Sequence, residues 1–179
     1  PAGGWWTVTV ADKGGAFAGT YEDPKTPSQT ALYRADGTRV RWIEENALKA
    51  GHPFWPYVDR LRQPTFGSIK AADGSDLWWS MRTPPGFDAA KKYPVIVQVY
   101  GGPSGPRVAS NWHTPEDQIL LDAGYILFRL DNRGVGFRSE AFKTAIDRKR
   151  GQLEVDDQIA GAKYLKTLPY VDAGRLGVT

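Results

Sequence analysis

The sequence contains no cysteine, only two histidines and a single methionine. Without cysteine the chain can form neither a disulfide nor a thiolate metal site, and the redox compartment stays open. His52 and His113 lie far apart in the sequence, so we expect no histidine-based metal centre, and no motif indicates a cofactor. No apolar run approaches the roughly 20 residues that cross a bilayer.

Neither sign of charge predominates in the sequence. The 23 basic and 20 acidic residues leave a net charge of +3, and the basic clusters at 91–92 and 148–150 are short. Because no basic stripe alternates with aromatic residues, we predict no nucleic-acid partner. Apolar residues, in contrast, make up 41% of the chain, which is enough to build a core and argues against disorder.

The first 45 residues predict an antiparallel sheet. Turn-forming residues, among them the hairpin pair Asp36-Gly37, separate short apolar or alternating runs. We predict four strands at WWTVTV, AFAGTY, TALYR and RVRWIE, with turns at 12–15, 23–28 and 36–37. Four strands in about forty residues have the size of one propeller blade. The pattern alone leaves a blade and a free-standing sheet equally open.

After a linker rich in proline and aromatic residues, the pattern changes to alternating strands and helices. A hairpin is predicted at Asp73-Gly74, followed by buried strands at YPVIVQVY, YILFRLD and RLGVT. Between them we predict a helix capped by Thr114 that ends near Gly124, and a second helix over 154–168. Its sheet-facing side is predicted to be Val155, Ile159, Ala162, Leu165 and Leu168. Such alternation is typical of a doubly wound parallel sheet.

Two adjacent acidic pairs are candidates for ligand binding or acid-base chemistry. In both Glu44-Glu45 and Asp156-Asp157, neighbouring side chains point in different directions, so neither pair converges on one ligand. We interpret them as a solvated strand end and a helix N-terminus.

The histidines and the glycine-rich segment are also weak candidates. His52 lies in the linker and His113 just before a helix, so neither is assigned as a catalytic base. The segment Gly134–Gly136 has Ser139 where a dinucleotide-binding fingerprint requires glycine. We interpret these glycines as a tight turn.

Tyr100 is a stronger candidate. It follows a buried strand and precedes Gly101-Gly102-Pro103, where the glycines permit close approach of a ligand to the backbone. An uncharged phenol can donate one hydrogen bond to an oxyanion. From the spacing alone, packing and function are equally good explanations of this tyrosine.

Three segments, KKYPVIVQVYGGP, DNRGVGFRSEAF and GQLEVDDQIAGAKYLKTLPYVDAGRLGVT, together resemble the prolyl oligopeptidase family of serine peptidases. The resemblance implies that residues 1–60 are the C-terminal part of a β-propeller with its linker. It implies that residues 61–179 are the N-terminal part of an α/β-hydrolase domain that stops before the nucleophile elbow. The fold class expected is therefore mixed, all-β followed by α/β.

The resemblance also implies a function. The members it matches best release dipeptides with Pro or Ala in second position from peptide amino termini, through an acyl-enzyme. Tyr100 would contribute to the oxyanion hole, with the serine, aspartate and histidine of the triad beyond Thr179, so that this segment alone is not catalytic. Glu44-Glu45 does not match the glutamates that hold the substrate's amino terminus.

Two alternatives remain open at this point: another peptidase of the family, acting on acylated or longer amino termini, and a binding scaffold without a triad. The expected partners are peptide substrates, the remainder of the same enzyme and, by resemblance, a second copy in a homodimer. An extracytoplasmic location is likewise expected from the resemblance alone.

Overall fold

The computed structural model describes residues 3–103, 105–112 and 115–179. The chain divides into two compact units. The first comprises the residues up to Gln63 with a short segment that begins at Ser110, and the second comprises Pro64–Ala109 and Pro115–Thr179. Within the described residues, no helix is long and apolar enough to cross a membrane.

The first unit contains the predicted four-stranded antiparallel sheet. Its strands are β1 (Trp5–Val10), β2 (Ala16–Asp23), β3 (Thr26–Arg34) and β4 (Arg39–Glu44), and they pair in chain order. Gly37 adopts a φ of 86°, as a hairpin turn after Asp36 requires. A 3₁₀ helix at Trp55–Arg60 follows the sheet.

The turn between β2 and β3 is tighter than the sequence predicts. Residues 26–28 belong to β3, because Asp23 already pairs with Thr26. The Asp23 carboxylate accepts hydrogen bonds from the Lys25 N–H at 2.7 Å and from the Tyr21 hydroxyl at 2.6 Å. This local capping closes the turn over Pro24 and Lys25 alone, so the predicted six-residue turn is wrong.

The second unit is built on a five-stranded mixed sheet of order β5-β6-β8-β7-β9. Strands β5 (Thr65–Lys70) and β6 (Asp76–Arg82) form the predicted hairpin, and Gly74 at its turn has a φ of 85°. Strands β7 (Tyr93–Val97), β8 (Ile126–Leu130) and β9 (Val171–Val178) run parallel to one another, which confirms the predicted parallel arrangement. The predicted burial of RLGVT is wrong: β9 begins four residues before this run, lies at the end of the strand order and is largely exposed. The helices are α1 (Pro115–Asp122), α2 (Glu140–Thr144) and α3 (Leu153–Thr167).

Strand β7 is shorter than predicted. The sequence run extends to Tyr100, whereas the strand ends at Val97. The chain stays close to its neighbours for two more residues, because Gln98 N–H donates to Phe128 O and Val99 N–H donates to Thr179 O, both at 2.9 Å. Tyr100 therefore follows the last of these bonds, at the start of the turn.

The face of α3 that packs on the sheet agrees with the predicted one only in part. Leu165 is buried and Leu168 packs against the core, as predicted, but Val155 and Ile159 are 49% and 46% exposed. Asp157 and Gly161 are buried instead, and the spacing of apolar residues missed them because one is a carboxylate and the other a glycine. The charge of the buried Asp157 carboxylate is compensated by Arg133, which lies in the loop after β8.

Replacing one buried and one exposed side chain of α3 by alanine tests which face of the helix packs on the sheet. Leu165 is fully buried in the core, so we expect Leu165→Ala to lower the free energy of unfolding by about 2–5 kcal/mol. Ile159→Ala, on the exposed side, should cost less than about 1 kcal/mol. Urea unfolding of both variants of the intact protein measures the difference, and equal losses would mean that Ile159 also packs in the core.

Candidate functional site

The carboxyl ends of the parallel strands meet at one edge of the second unit's sheet. Strand β7 lies between β8 and β9. The chain leaves β7 for β8 on one side through α1, then crosses to β9 on the other side through α3. The carboxyl end of β7 is therefore a topological switch point, the place where open α/β sheets bind their ligands.

Tyr100 stands at this switch point and its side chain is 47% exposed. Gly101 has a φ of 73°, a conformation that glycine adopts without strain. A Cβ atom added at Gly102 would lie 2.9 Å from Tyr100 Cε1 and 3.2 Å from its hydroxyl oxygen. The phenol therefore folds back over its own glycine turn, and a side chain at 102 would displace it.

Asp131, the residue that follows β8, fixes the far end of the Tyr100 loop. Its buried carboxylate accepts hydrogen bonds from the backbone N–H groups of Arg107 at 2.7 Å and Val108 at 3.1 Å. The same carboxylate accepts a bond from Arg138 Nη2 at 2.6 Å. Asp131 thereby joins the loops that follow β7 and β8, and the Arg107 guanidinium comes to lie 5.3 Å from the Tyr100 ring centroid.

A second buried carboxylate lies beneath the residue that leads into Tyr100. Asp117 of α1 accepts hydrogen bonds from Arg82 at 2.8 Å and from Arg129 at 2.7 Å. Gln98 bridges the pair, donating to Asp117 at 3.1 Å and accepting from Arg129 Nε at 2.8 Å. This network holds the backbone two residues before Tyr100 against β8 and α1.

The Arg82–Asp117–Arg129 cluster contains more positive than negative charge. Burial lowers the pKa of Arg82 to about 10, partly offset by the charge of Asp117 and reinforced by that of Arg129. The guanidinium still carries its charge at neutral pH, so two cations share one buried carboxylate.

The loop after β8 is held by a third buried aspartate. Arg133 donates from Nε and Nη2 to Asp157, at distances between 2.7 and 3.2 Å, and from Nη1 to Asp73 at 2.6 Å. The hydrogen bonds that Arg133 donates to Asp157, together with the charges of both aspartates, raise the pKa of Arg133 against the opposing effect of burial. Asp156 and Asp157 lie near the N-terminus of α3, as predicted, but Asp157 is buried and paired whereas Asp156 is exposed.

The glycines of this loop serve a turn rather than a phosphate. Gly134 has a φ of 101°, and a Cβ there would collide with the Ile146 side chain. The next helix, α2, begins only after Ser139, whose hydroxyl accepts from Phe142 N–H at 3.1 Å. This arrangement is the tight turn that the sequence indicates.

The remaining described candidates belong to the first unit. His52 is engaged within the first unit, contacting Asn46 Oδ1 through Nε2 at 2.9 Å and accepting from Phe54 N–H through Nδ1 at 3.1 Å. Glu44 and Glu45 are exposed at the end of β4. His113 and the predicted cap Thr114 lie outside the described residues.

Sequence reasoning missed the side chains that organise the edge. Asp131, Arg133 and Arg138 lie in the segment DNRGVGFR, whose charged residues directly after a buried strand were a readable signal. Phe137 was also missed: it is 78% exposed and has a φ of 64°, which is strained for a residue with a side chain. A groove of about 680 Å³ at this edge is lined by Phe137, Trp78 and Arg138. The Arg138 guanidinium lies 5.5 Å from the Trp78 ring centroid.

Three parallel strands of an α/β sheet end at this edge beside the Tyr100 phenol and charged loops. Proteins of this α/β class bind or transform their ligands at such an edge. Comparison with known proteins identifies the family within that class that this chain resembles. Residues 112–179 match the model of the prolyl oligopeptidase family. The matched region contains the second and third of the sequence segments that carry the resemblance, and together with the relatives described next it confirms that resemblance.

Individual relatives cover nearly the whole chain. "Probable dipeptidyl peptidase 4" of Aspergillus flavus is 31% identical over 179 residues, which are 97% of this chain and 23% of that protein. The solved dipeptidyl peptidase 4 of Porphyromonas gingivalis superposes with a TM-score of 0.87 at 28% identity, over 98% of this chain and 25% of that one. A candidate dipeptidyl aminopeptidase IV from Bacteroides ovatus gives a TM-score of 0.83 at 34% identity, over 99% and 25%. The chain thus spans about a quarter of the length of these relatives.

Neutralising the two adjacent aspartates separately tests the role of the Arg133 pair. Asp157→Asn removes the buried one of the two charged partners of the Arg133 guanidinium and leaves only the half-exposed Asp73, so we expect a loss of about 3–5 kcal/mol in the free energy of unfolding. Asp156→Asn removes the same charge one residue away at an exposed position and should cost less than about 1 kcal/mol. Chemical unfolding of the intact protein compares them. A loss for Asp157→Asn no greater than that for Asp156→Asn would contradict the assigned pairing.

Proposed function

We propose that this chain is part of a serine exopeptidase that releases dipeptides from peptide amino termini, preferring Pro or Ala in second position. The observation that carries the proposal is the position of Tyr100 at the switch point of a sheet that resembles solved dipeptidyl peptidases. The names of the similar proteins support the reaction class, and the preference for Pro or Ala rests on the resemblance of the three sequence segments.

The domain organisation belongs to the same proposal. The first unit would be the last blade of a β-propeller, and the second the opening half of an α/β-hydrolase domain. Two features support the blade: the four strands pair in chain order, and the outer strands β1 and β4 expose large apolar side chains that neighbouring blades would cover. These exposed residues are Val8, Val10, Val40 and Ile43.

The end of β9 supports the position of the nucleophile. Thr179 N–H donates to Val97 O at 3.0 Å, and Thr179 O accepts from Val99 N–H at 2.9 Å. The residue numbered 179 is therefore paired with the segment that leads into Tyr100. A serine placed on a sharp turn shortly after it would lie beside the phenol, as the proposed mechanism requires.

In that mechanism the serine attacks the carbonyl carbon of the second substrate residue, and the carbonyl oxygen becomes an oxyanion. The Tyr100 hydroxyl donates a hydrogen bond to this oxygen as its charge develops, which lowers the barrier because the donor is already in position. Collapse of the tetrahedral intermediate expels the shortened peptide and leaves the dipeptide as an acyl-enzyme, which water then hydrolyses. The three networks around Asp131, Asp117 and Asp157 would keep the edge rigid during these steps.

Removing the phenol oxygen tests the role of Tyr100. In the full-length protein, Tyr100→Phe should lower kcat on Gly-Pro-p-nitroanilide by roughly 10²–10³-fold, as the loss of one oxyanion donor does elsewhere, with little change in unfolding. Tyr57→Phe, at an exposed tyrosine of the first unit, is the matched control and should leave kcat unchanged. A kcat for Tyr100→Phe within a few-fold of the unmodified enzyme would refute the assignment.

Covalent labelling tests the reaction class separately. A fluorophosphonate probe reacts with an activated serine, so we expect it to modify the full-length protein at one serine that follows residue 179 by a few positions. Mass spectrometry of the labelled peptide locates the site. Failure to label would favour a binding scaffold. Labelling without turnover of Gly-Pro substrates, but with turnover of an N-acylated peptide, would favour another peptidase of the family.

A further inference from the structure

Arg107 differs from the other arginines that follow or flank the parallel strands. Arg82, Arg129, Arg133 and Arg138 each pair with a buried aspartate, at distances of 2.6–2.8 Å. The Arg107 side chain is exposed, and within the described part of the chain no ion pair to its guanidinium is found. What it contacts instead is the ring face of Tyr100.

The position of Arg107 is nevertheless fixed. Its backbone N–H and that of Val108 both bond to the buried Asp131 carboxylate, and Val108 itself is buried. Arg107, Pro106, Gly105 and Tyr100 line a cavity of about 240 Å³. A guanidinium held at a candidate active site, beside a cavity and without a carboxylate of its own, is available to bind an anionic group of a ligand.

The proposed function limits which part of a peptide could supply that anion. The two residues before the scissile bond carry a free ammonium group, which a guanidinium repels, and Pro or Ala in second position has no side-chain carboxylate. The leaving peptide, in contrast, ends in a carboxylate unless its C-terminus is amidated, and it can also carry an acidic side chain. Because consecutive residues of an extended peptide are about 3.3–3.6 Å apart, the first residue beyond the scissile bond stays close to the oxyanion donor.

We propose that Arg107, together with Tyr100, forms a subsite for a carboxylate carried by the leaving-group side of the peptide substrate. This inference rests on the proposed function. It adds a preference for substrates that carry a carboxylate beyond the scissile bond. The carboxylate can come from the C-terminus of a tripeptide or from an acidic residue in third position. Both present the same planar, bidentate acceptor to the guanidinium.

Two pairs of substrates separate these sources in the full-length enzyme. The first pair is Gly-Pro-Gly and its C-terminal amide, which differ only in the terminal carboxylate. The second pair consists of amidated hexapeptides that carry Glu or Gln in third position after Gly-Pro. For each pair the measured quantity is the ratio of kcat/KM for the charged over the neutral substrate.

In the unmodified enzyme we expect this ratio to be about three to ten in at least one pair, the size of a partly exposed, charge-assisted contact. Arg107→Gln should bring the ratio close to one, and Arg107→Lys should retain part of it. Arg150→Gln removes the same charge at an exposed position of the 148–150 cluster and should keep the original ratio. Raising the salt concentration to about 0.5 M should reduce the ratio in the unmodified enzyme, because exposed charges are screened.

Other results would overturn the inference. A ratio near one in both pairs for the unmodified enzyme, or a ratio unchanged in Arg107→Gln, excludes the subsite. An equal loss of kcat/KM on charged and neutral substrates would make Arg107 a support for the Tyr100 loop instead. Absence of any Gly-Pro hydrolysis by the unmodified enzyme would refute the proposed function itself, so the two failures can be distinguished.

Discussion

The geometry of the carboxyl edge depends on the hydrogen bonds that the Asp131 carboxylate accepts. It closes the loop after β7 through two backbone N–H groups and the loop after β8 through Arg138. Loops at the end of a sheet are otherwise among the most mobile parts of a protein. Three hydrogen bonds to this one buried carboxylate hold both loops in a single arrangement. That arrangement fixes the positions of Tyr100 and Arg107.

The surrounding ion pairs repeat this principle at the neighbouring elements. Asp117 fixes the approach to Tyr100 from α1, and Asp157 fixes the loop after β8 from α3. Buried pairs of this kind contribute little net stability, because the cost of removing both charges from water offsets their attraction. Their effect is specific instead: the hydrogen bonds of these pairs form in only one arrangement of the loops, so the edge is held in register at the place where a reaction needs fixed distances.

Local patterns predicted much of the fold. The Asp-Gly turns located both hairpins, and the continuous apolar runs located β7 and β8, because turn geometry and burial depend on neighbouring residues in the sequence. For β9 the run RLGVT located only the second half of the strand. The sheet-facing side of α3 was predictable only in part. Its burial of Asp157 makes sense only with Arg133, a partner on another element that no periodicity reveals. The tight turn after β2 was missed for a similar reason, since the Asp23 cap shortens it.

The candidate site was predictable in part. A tyrosine before two glycines at the end of a buried strand is visible in the sequence, and the resemblance to a peptidase family gave it a role. The pairing of Arg107 with Tyr100 depends on Asp131, which is 24 residues further along the chain, and only the folded structure brings them together.

The most direct test of the account is a crystal structure of the full-length protein with a dipeptide phosphonate, which reacts with a serine nucleophile and mimics the tetrahedral intermediate. The account predicts that the Tyr100 hydroxyl lies within about 3 Å of the phosphonyl oxygen that represents the oxyanion. A structure in which the inhibitor is bound but other groups contact that oxygen, with Tyr100 turned away, would contradict it.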